Sequence, residues 1–126
     1  MKRLLNYTII ISLSLVVFGC GGPTIDVESD EFRKNITFTK DELKQLMILY
    51  KGDPYNGTFV KYRKNGGGLD TKSTIKDGKI QVEETYNKDG QLGRKETYNK
   101  DGKTVDSSEQ YDKEGKVTHK DGIEVK

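Results

Sequence analysis

Cysteine, tryptophan, alanine and histidine are almost or entirely missing from this 126-residue chain, and each shortage excludes something. A single cysteine, Cys20, rules out an internal disulfide. The lack of alanine removes the strongest helix former, whereas Thr, Val, Tyr and Ile recur and favour strands. The one histidine, His119, lies close to the C-terminal end and reads as a surface residue rather than a general base. Ser107-Ser108 has no nucleophile-elbow context. Gly66-Gly67-Gly68 lacks the Lys-Ser/Thr that a phosphate loop needs. Glu83 and Glu84, as strand neighbours, would point to opposite faces and could not share a substrate. No catalytic, cofactor or metal site is expected from this inventory.

The long hydrophobic run that is present lies at the start. Lys2 and Arg3 precede a nearly continuous apolar stretch from Leu4 to Phe18, too short to span a bilayer comfortably and of the length of a secretory signal. It ends in Val17-Phe18-Gly19-Cys20, which resembles the bacterial lipobox. The resemblance implies a signal peptide over 1–19, cleavage before Cys20, and a diacylglyceryl group on the Cys20 thiol. Acyl chains contribute about 0.8 kcal/mol per buried methylene, so two of them anchor stably where one holds marginally. The expected location is the bacterial cell envelope, in contact with the membrane through the N-terminal lipid. Gly21, rather than Asp, after the cysteine would allow passage to an outer membrane in an organism that has one; otherwise the plasma membrane is expected.

Loss of residues 1–19 leaves 20 basic and 20 acidic side chains, so no positive excess remains to follow a phosphate backbone. Nucleic acid is not an expected partner. Residues 20–34 read as a lipidated tether, because Gly21, Gly22 and Pro23 resist helix and acids follow. Residues 35–126 read as one β domain. Thr39-Lys40-Asp41-Glu42 matches a capping box and predicts one short helix near 40–45. A core is expected from Ile36, Phe38, Leu43, Leu46, Ile48, Tyr50, Phe59 and Tyr62, with Leu46–Tyr50 as a buried strand.

From Asp70 onward apolar residues are sparse, and order there depends on a repeat. Tyr62-Arg63-Lys64-Asn65-Gly66 is followed by Thr74-Ile75-Lys76-Asp77-Gly78, Tyr86-Asn87-Lys88-Asp89-Gly90, Tyr98-Asn99-Lys100-Asp101-Gly102 and Tyr111-Asp112-Lys113-Glu114-Gly115. A shortened Thr118-His119-Lys120-Asp121-Gly122 comes last, and the glycines step by 12, 12, 12, 13 and then 7. Asn-Lys-Asp-Gly suits a type I turn closed by a glycine bulge, leaving about eight strand residues per unit. The fold class is therefore mainly β, an antiparallel meander of short hairpins. The turns resemble fragments of calcium loops but lack the further acidic ligands such a loop requires.

Lys51-Gly52-Asp53-Pro54-Tyr55-Asn56-Gly57-Thr58-Phe59-Val60-Lys61-Tyr62-Arg63-Lys64-Asn65-Gly66 resembles the variant MORN repeat, as found in YwqK-type antitoxin-like bacterial proteins. The match covers 46–69 well; over 70–126 it is weaker, with Gly93-Arg94 where a glycine-aromatic pair belongs. The later repeats are also similar to the charged, thinly hydrophobic sheets of spirochaete outer-surface lipoproteins. The resemblance implies a non-enzymatic protein-binding or surface-structural module. The alternatives are an immunity protein that neutralises a toxin at the envelope and an adhesin. If they share a face, Tyr62, Tyr86, Tyr98 and Tyr111 would form the contact strip for an unknown protein partner; simple cross-strand packing is the competing role.

Overall fold

A computed structural model describes residues 22–125; the proposed signal peptide and Cys20 lie outside the described residues. The protein is mainly β. β1 (Thr24–Asp26), β5 (Gly57–Tyr62), β6 (Leu69–Lys76), β7 (Lys79–Tyr86), β8 (Leu92–Tyr98), β9 (Val105–Tyr111), β10 (Val117–Lys120) and β11 (Ile123–Glu124) form one sheet in that order. From β5 onward it is an antiparallel meander, whereas β1 pairs parallel to β5. β2 (Ile36–Lys40), β3 (Leu46–Tyr50) and β4 (Asp53–Pro54) make a second, small antiparallel sheet.

The stretch read as a tether carries regular structure. Thr24–Asp26 pairs with Thr58–Val60, and α1 (Asp30–Asn35) follows, its first turn capped by Ser29, whose hydroxyl accepts from the Phe32 amide at 3.1 Å. Gly22 and Pro23 precede the strand rather than dissolving it. The helix expected near 40–45 is instead a hairpin turn. Thr39 is spent in the ladder opposite Met47. The Asp41 carboxylate then accepts from the Leu43 and Gln45 amides, both at 2.9 Å, and Lys44 takes a positive φ. A capping box cannot form when its first residue is committed to strand pairing.

The core lies where the small sheet and α1 cover one face of the large sheet around β1, β5 and β6. It contains Ile25, Ile36, Ile48, Tyr55, Phe59 and Ile75. Tyr55 stacks on Phe59 with ring centroids 5.0 Å apart, and Phe32 meets Phe59 edge-on at 5.1 Å. The buried Tyr55 phenol donates to the Pro23 carbonyl at 2.6 Å and lies 3.1 Å from that of Thr58, which ties β1 into the core. Four residues expected inside are half-exposed or more: Phe38 (54%), Leu43 (75%), Leu46 (50%) and Tyr62 (50%). Leu43 sits in the unforeseen turn, and Tyr62 ends its strand away from the cover.

Four of the repeat glycines occupy hairpin turns of two forms. Gly66 instead ends a 3-10 turn, Lys64–Gly66, and Gly102 lies in a six-residue turn in which Asp101 accepts from the Lys103 and Thr104 amides, both at 2.8 Å. Gly90 and Gly115 close five-residue turns in which Asn87 and Asp112 each accept two backbone amides through Oδ1. Asp77-Gly78 and Asp121-Gly122 are two-residue turns, both residues of each at positive φ, the mirror-image type I′ form that suits twisted strands. The common bulged turn expected throughout therefore gives way to this tighter one at 77–78 and 121–122. Strand direction reverses at every turn, so the ends of β5, β7 and β9 share one end of the sheet. Gly22, the Asp77-Gly78 turn and the 99–104 turn share the other.

Candidate protein-binding face

Direct Cα partners share a face, and alternate residues along a strand share it too except across a bulge, where the extra residue shifts the alternation by one. On this basis the large sheet has a core face, which includes Phe59 and Ile75, and an outer face. The outer face holds Tyr62, Tyr86 and Tyr111. Tyr62 is opposite Leu69, Tyr86 opposite Leu92 and Tyr111 opposite Val117. Each pair sits at a register irregularity beside a turn, so the same geometry recurs three times. Together they form a strip of alternating aromatic and aliphatic residues along one end of the sheet. At about 4.8 Å per strand it runs roughly 24 Å from β5 to β10.

Tyr98 does not join them. It ends β8, which runs the other way, and lies on the core face with Glu96 and Arg94. Consecutive repeats that each reverse the chain place identical residues at opposite ends, and this separates the four tyrosines that the sequence groups together. Tyr98 instead completes a polar cluster. Its hydroxyl donates to Glu83 Oε1 at 2.9 Å and lies 3.5 Å from Glu96 Oε1, while Arg94 meets Glu96 Oε2 at 2.9 Å. Burial, then the adjoining carboxylates, push its phenol well above the ordinary tyrosine range. Tyr111 donates to Glu109 at 2.8 Å, and burial followed by that carboxylate raises it to about 12. Burial raises Tyr86 as well, with Glu84 adding to it. These phenols are protonated donors at neutral pH, not bases.

One row inward from the strip, the outer face carries a feature missed in the sequence. Lys72, Glu84, Lys95, Glu109 and Lys120 stand opposite one another on five successive strands, alternating in sign. Lys and Glu residues scattered along the chain line up across the sheet once the strand register is applied. Opposite charges facing across strands contribute about 0.2–1 kcal/mol per pair. Glu83 and Glu84 do fall on opposite faces, but Glu83 then faces Glu96, a pairing visible only from the register.

The remaining candidates are dispersed. His119 is half-buried on β10 beside the Thr118 hydroxyl, at 3.1 Å. Ser107 and Ser108 alternate on β9, opposite Thr97 and Glu96. Among the described residues no three His, Cys, Asp or Glu side chains gather to hold a metal, and no helix is long and apolar enough to cross a membrane. The arrangement offers a sheet face of phenols, aliphatic side chains and charges that alternate in sign.

No protein-family model and no curated protein matches the sequence. Among solved structures the chain has distant likenesses. In that of accessory secretory protein 1,2 and 3 in Streptococcus pneumoniae it is 11% identical over 69% of this chain and 17% of that one, with a TM-score of 0.44. For the GtfA/B complex bound to UDP and GlcNAc the figures are 18% identity, 68% of this chain, 19% of that chain and a TM-score of 0.43. For TarM they are 15%, 69%, 19% and 0.44. The chain spans less than a fifth of the length of each of these proteins.

Proposed function

We propose that this chain is a lipid-anchored protein of a bacterial cell envelope whose MORN-like sheet binds a protein partner and catalyses nothing. The observation that carries the reading is the position of the outer-face strip. It lies at the end of the sheet away from Gly22, so an anchor on Cys20 would leave Tyr62, Tyr86 and Tyr111 on the side turned from the membrane. Tyrosines next to aliphatic side chains, with hydroxyls to hydrogen-bond, are the composition of protein-binding surfaces. The charge row beside the strip supplies register and selectivity more than affinity.

The test is capture from solubilised envelopes with the native protein and with a Tyr86→Ser, Tyr111→Ser double variant of unchanged circular dichroism. The reading expects one protein in stoichiometric amount with the native chain and its loss with the variant. Equal capture by both would remove the strip from the function. Mass spectrometry of the native protein tests the anchor separately: it should show an acyl mass on Cys20 and no residues 1–19.

A further inference from the structure

The start of the described chain is bound into the sheet without slack. The Pro23 carbonyl accepts from the Thr58 amide at 2.9 Å and the Tyr55 hydroxyl at 2.6 Å. Gly22 takes φ +56, and a Cβ there would stand 2.1 Å from the Asn56 carbonyl oxygen. Cys20 is two positions before Gly22, and two residues reach at most about 7 Å. A lipid on Cys20 would therefore hold this end of the sheet against the headgroups.

The same end carries exposed apolar side chains. Asn56, beside Gly22, accepts from the Asp77 amide at 2.9 Å. Two residues on, the Lys79 ammonium meets the Asp41 carboxylate at 2.7 Å and the Leu46 carbonyl at 3.0 Å, fixing the β2–β3 turn to this end. Leu43 at that turn is 75% exposed; Leu46 and Phe38 share the hairpin face of buried Ile36 and Ile48 but lie at its margin and are half-exposed, the Phe38 ring 6.3 Å from that of Phe32. An apolar projection this close to acyl chains meets lipid before it meets a protein.

We infer that the β2–β3 tip, through Leu43, Leu46 and Phe38, enters the interfacial zone of the bilayer as a second membrane contact; the inference rests on the lipid anchor proposed above. Burial of apolar surface in the headgroup region drives such contacts. Charge contributes little, because Lys40, Lys44 and Lys79 at this tip stand against Asp41 and Glu42, an excess of a single positive charge. Zwitterionic lipid therefore suffices.

The chain has no tryptophan, so one indole reports cleanly. Acylated mature Leu43→Trp and Tyr111→Trp proteins, beginning at Cys20 and checked for unchanged circular dichroism, are placed in phosphatidylcholine vesicles with brominated acyl chains. Flotation reads the anchor, and fluorescence reads the tip. Both proteins should float, with blue-shifted, quenched emission from position 43 and unquenched emission from position 111. Flotation with position 43 no more quenched than 111 overturns the inference and leaves the anchor standing. Failure to float overturns both. Quenching that requires anionic lipid overturns the apolar contact.

Discussion

Glu83 and Glu96 face each other directly across β7 and β8, and the Tyr98 phenol donates to Glu83 at 2.9 Å while standing 3.5 Å from Glu96. Like charges in this position repel, and the sheet tolerates them because a neutral donor lies between them and Arg94 holds one from the side. Tyr98→Phe keeps the ring and removes the donor. Hydrogen bonds to a charged group contribute about 1.5–3 kcal/mol, and partial exposure reduces this to about 1 kcal/mol here. Urea denaturation should show that loss in the single variant. Adding Glu96→Gln should recover part of it, since the repulsion goes with the second charge. If Tyr98→Phe unfolds at the native midpoint, the phenol is a bystander.

The raised phenols set an alkaline limit. Tyr98 and Tyr111 bind their protons more tightly when folded than when unfolded, because burial and the neighbouring carboxylates oppose a phenolate. A group whose pKa rises on folding stabilises fully below its unfolded value. That contribution fades as pH climbs through the folded one. Stability should therefore be flat up to about pH 10, the ordinary tyrosine value, and fall from there toward pH 12. Thermal melts at pH 9 and pH 11 measure the drop. It should shrink in a Tyr98→Phe, Tyr111→Phe protein, which has no proton to lose at these positions.

How far the sequence foretold this arrangement depends on the range of the forces involved. Asn87-Lys88-Asp89-Gly90 announces its turn because one side chain bonds its own backbone a few residues on, and glycine supplies the positive φ. The strand interiors follow from the turns. Tyr55 gave no comparable signal. Its burial depends on Pro23, 32 positions earlier, arriving as a parallel strand of three residues. The β2–β3 turn was hidden by a local competitor: Thr39 to Glu42 suits a helix cap until Leu46–Tyr50 pairs back on Ile36–Lys40. At the candidate binding face the tyrosines were legible and their grouping was not. Strand polarity sends Tyr98 to the other end of the sheet, and register alone opposes Lys95 to Glu84 and Glu109.

That central lysine gives a direct test of the charge row. Lys95→Glu would place like charges opposite both Glu84 and Glu109, converting two favourable pairs to repulsive ones. At about 0.2–1 kcal/mol per pair the expected loss is about 1 kcal/mol in low salt. Around 1 M salt the Debye length shrinks to about 3 Å, and the gap from the native protein should largely close. Lys95→Ala should lose less than the reversal at low salt and respond less to salt. Salt-independent destabilisation of Lys95→Glu would mean that the lysine stem, and not its charge, matters.

Gly78 joins the two sheets. Its carbonyl accepts from the Ile48 amide and its amide donates to the Tyr55 carbonyl, both at 2.9 Å, so one turn residue bonds β3 and the loop before β5. A Cβ on Gly78 would lie 2.2 Å from Met47 Sδ and 2.9 Å from the Ile48 carbonyl oxygen, at φ +78. Met47 can rotate away; the carbonyl cannot move without breaking the join. Gly78→Ala thus combines left-handed strain with overpacking and should cost about 2 kcal/mol. Gly90→Ala is the control, since it shares the positive φ but meets nothing within 4 Å. It should lose only the conformational part, about 1 kcal/mol. Amide exchange distinguishes the mechanisms: in Gly78→Ala the Ile48 and Gly78 amides should exchange faster while those of β8 and β9 keep their protection. Equal losses in the two alanine variants would show that Gly78 matters only as a turn residue.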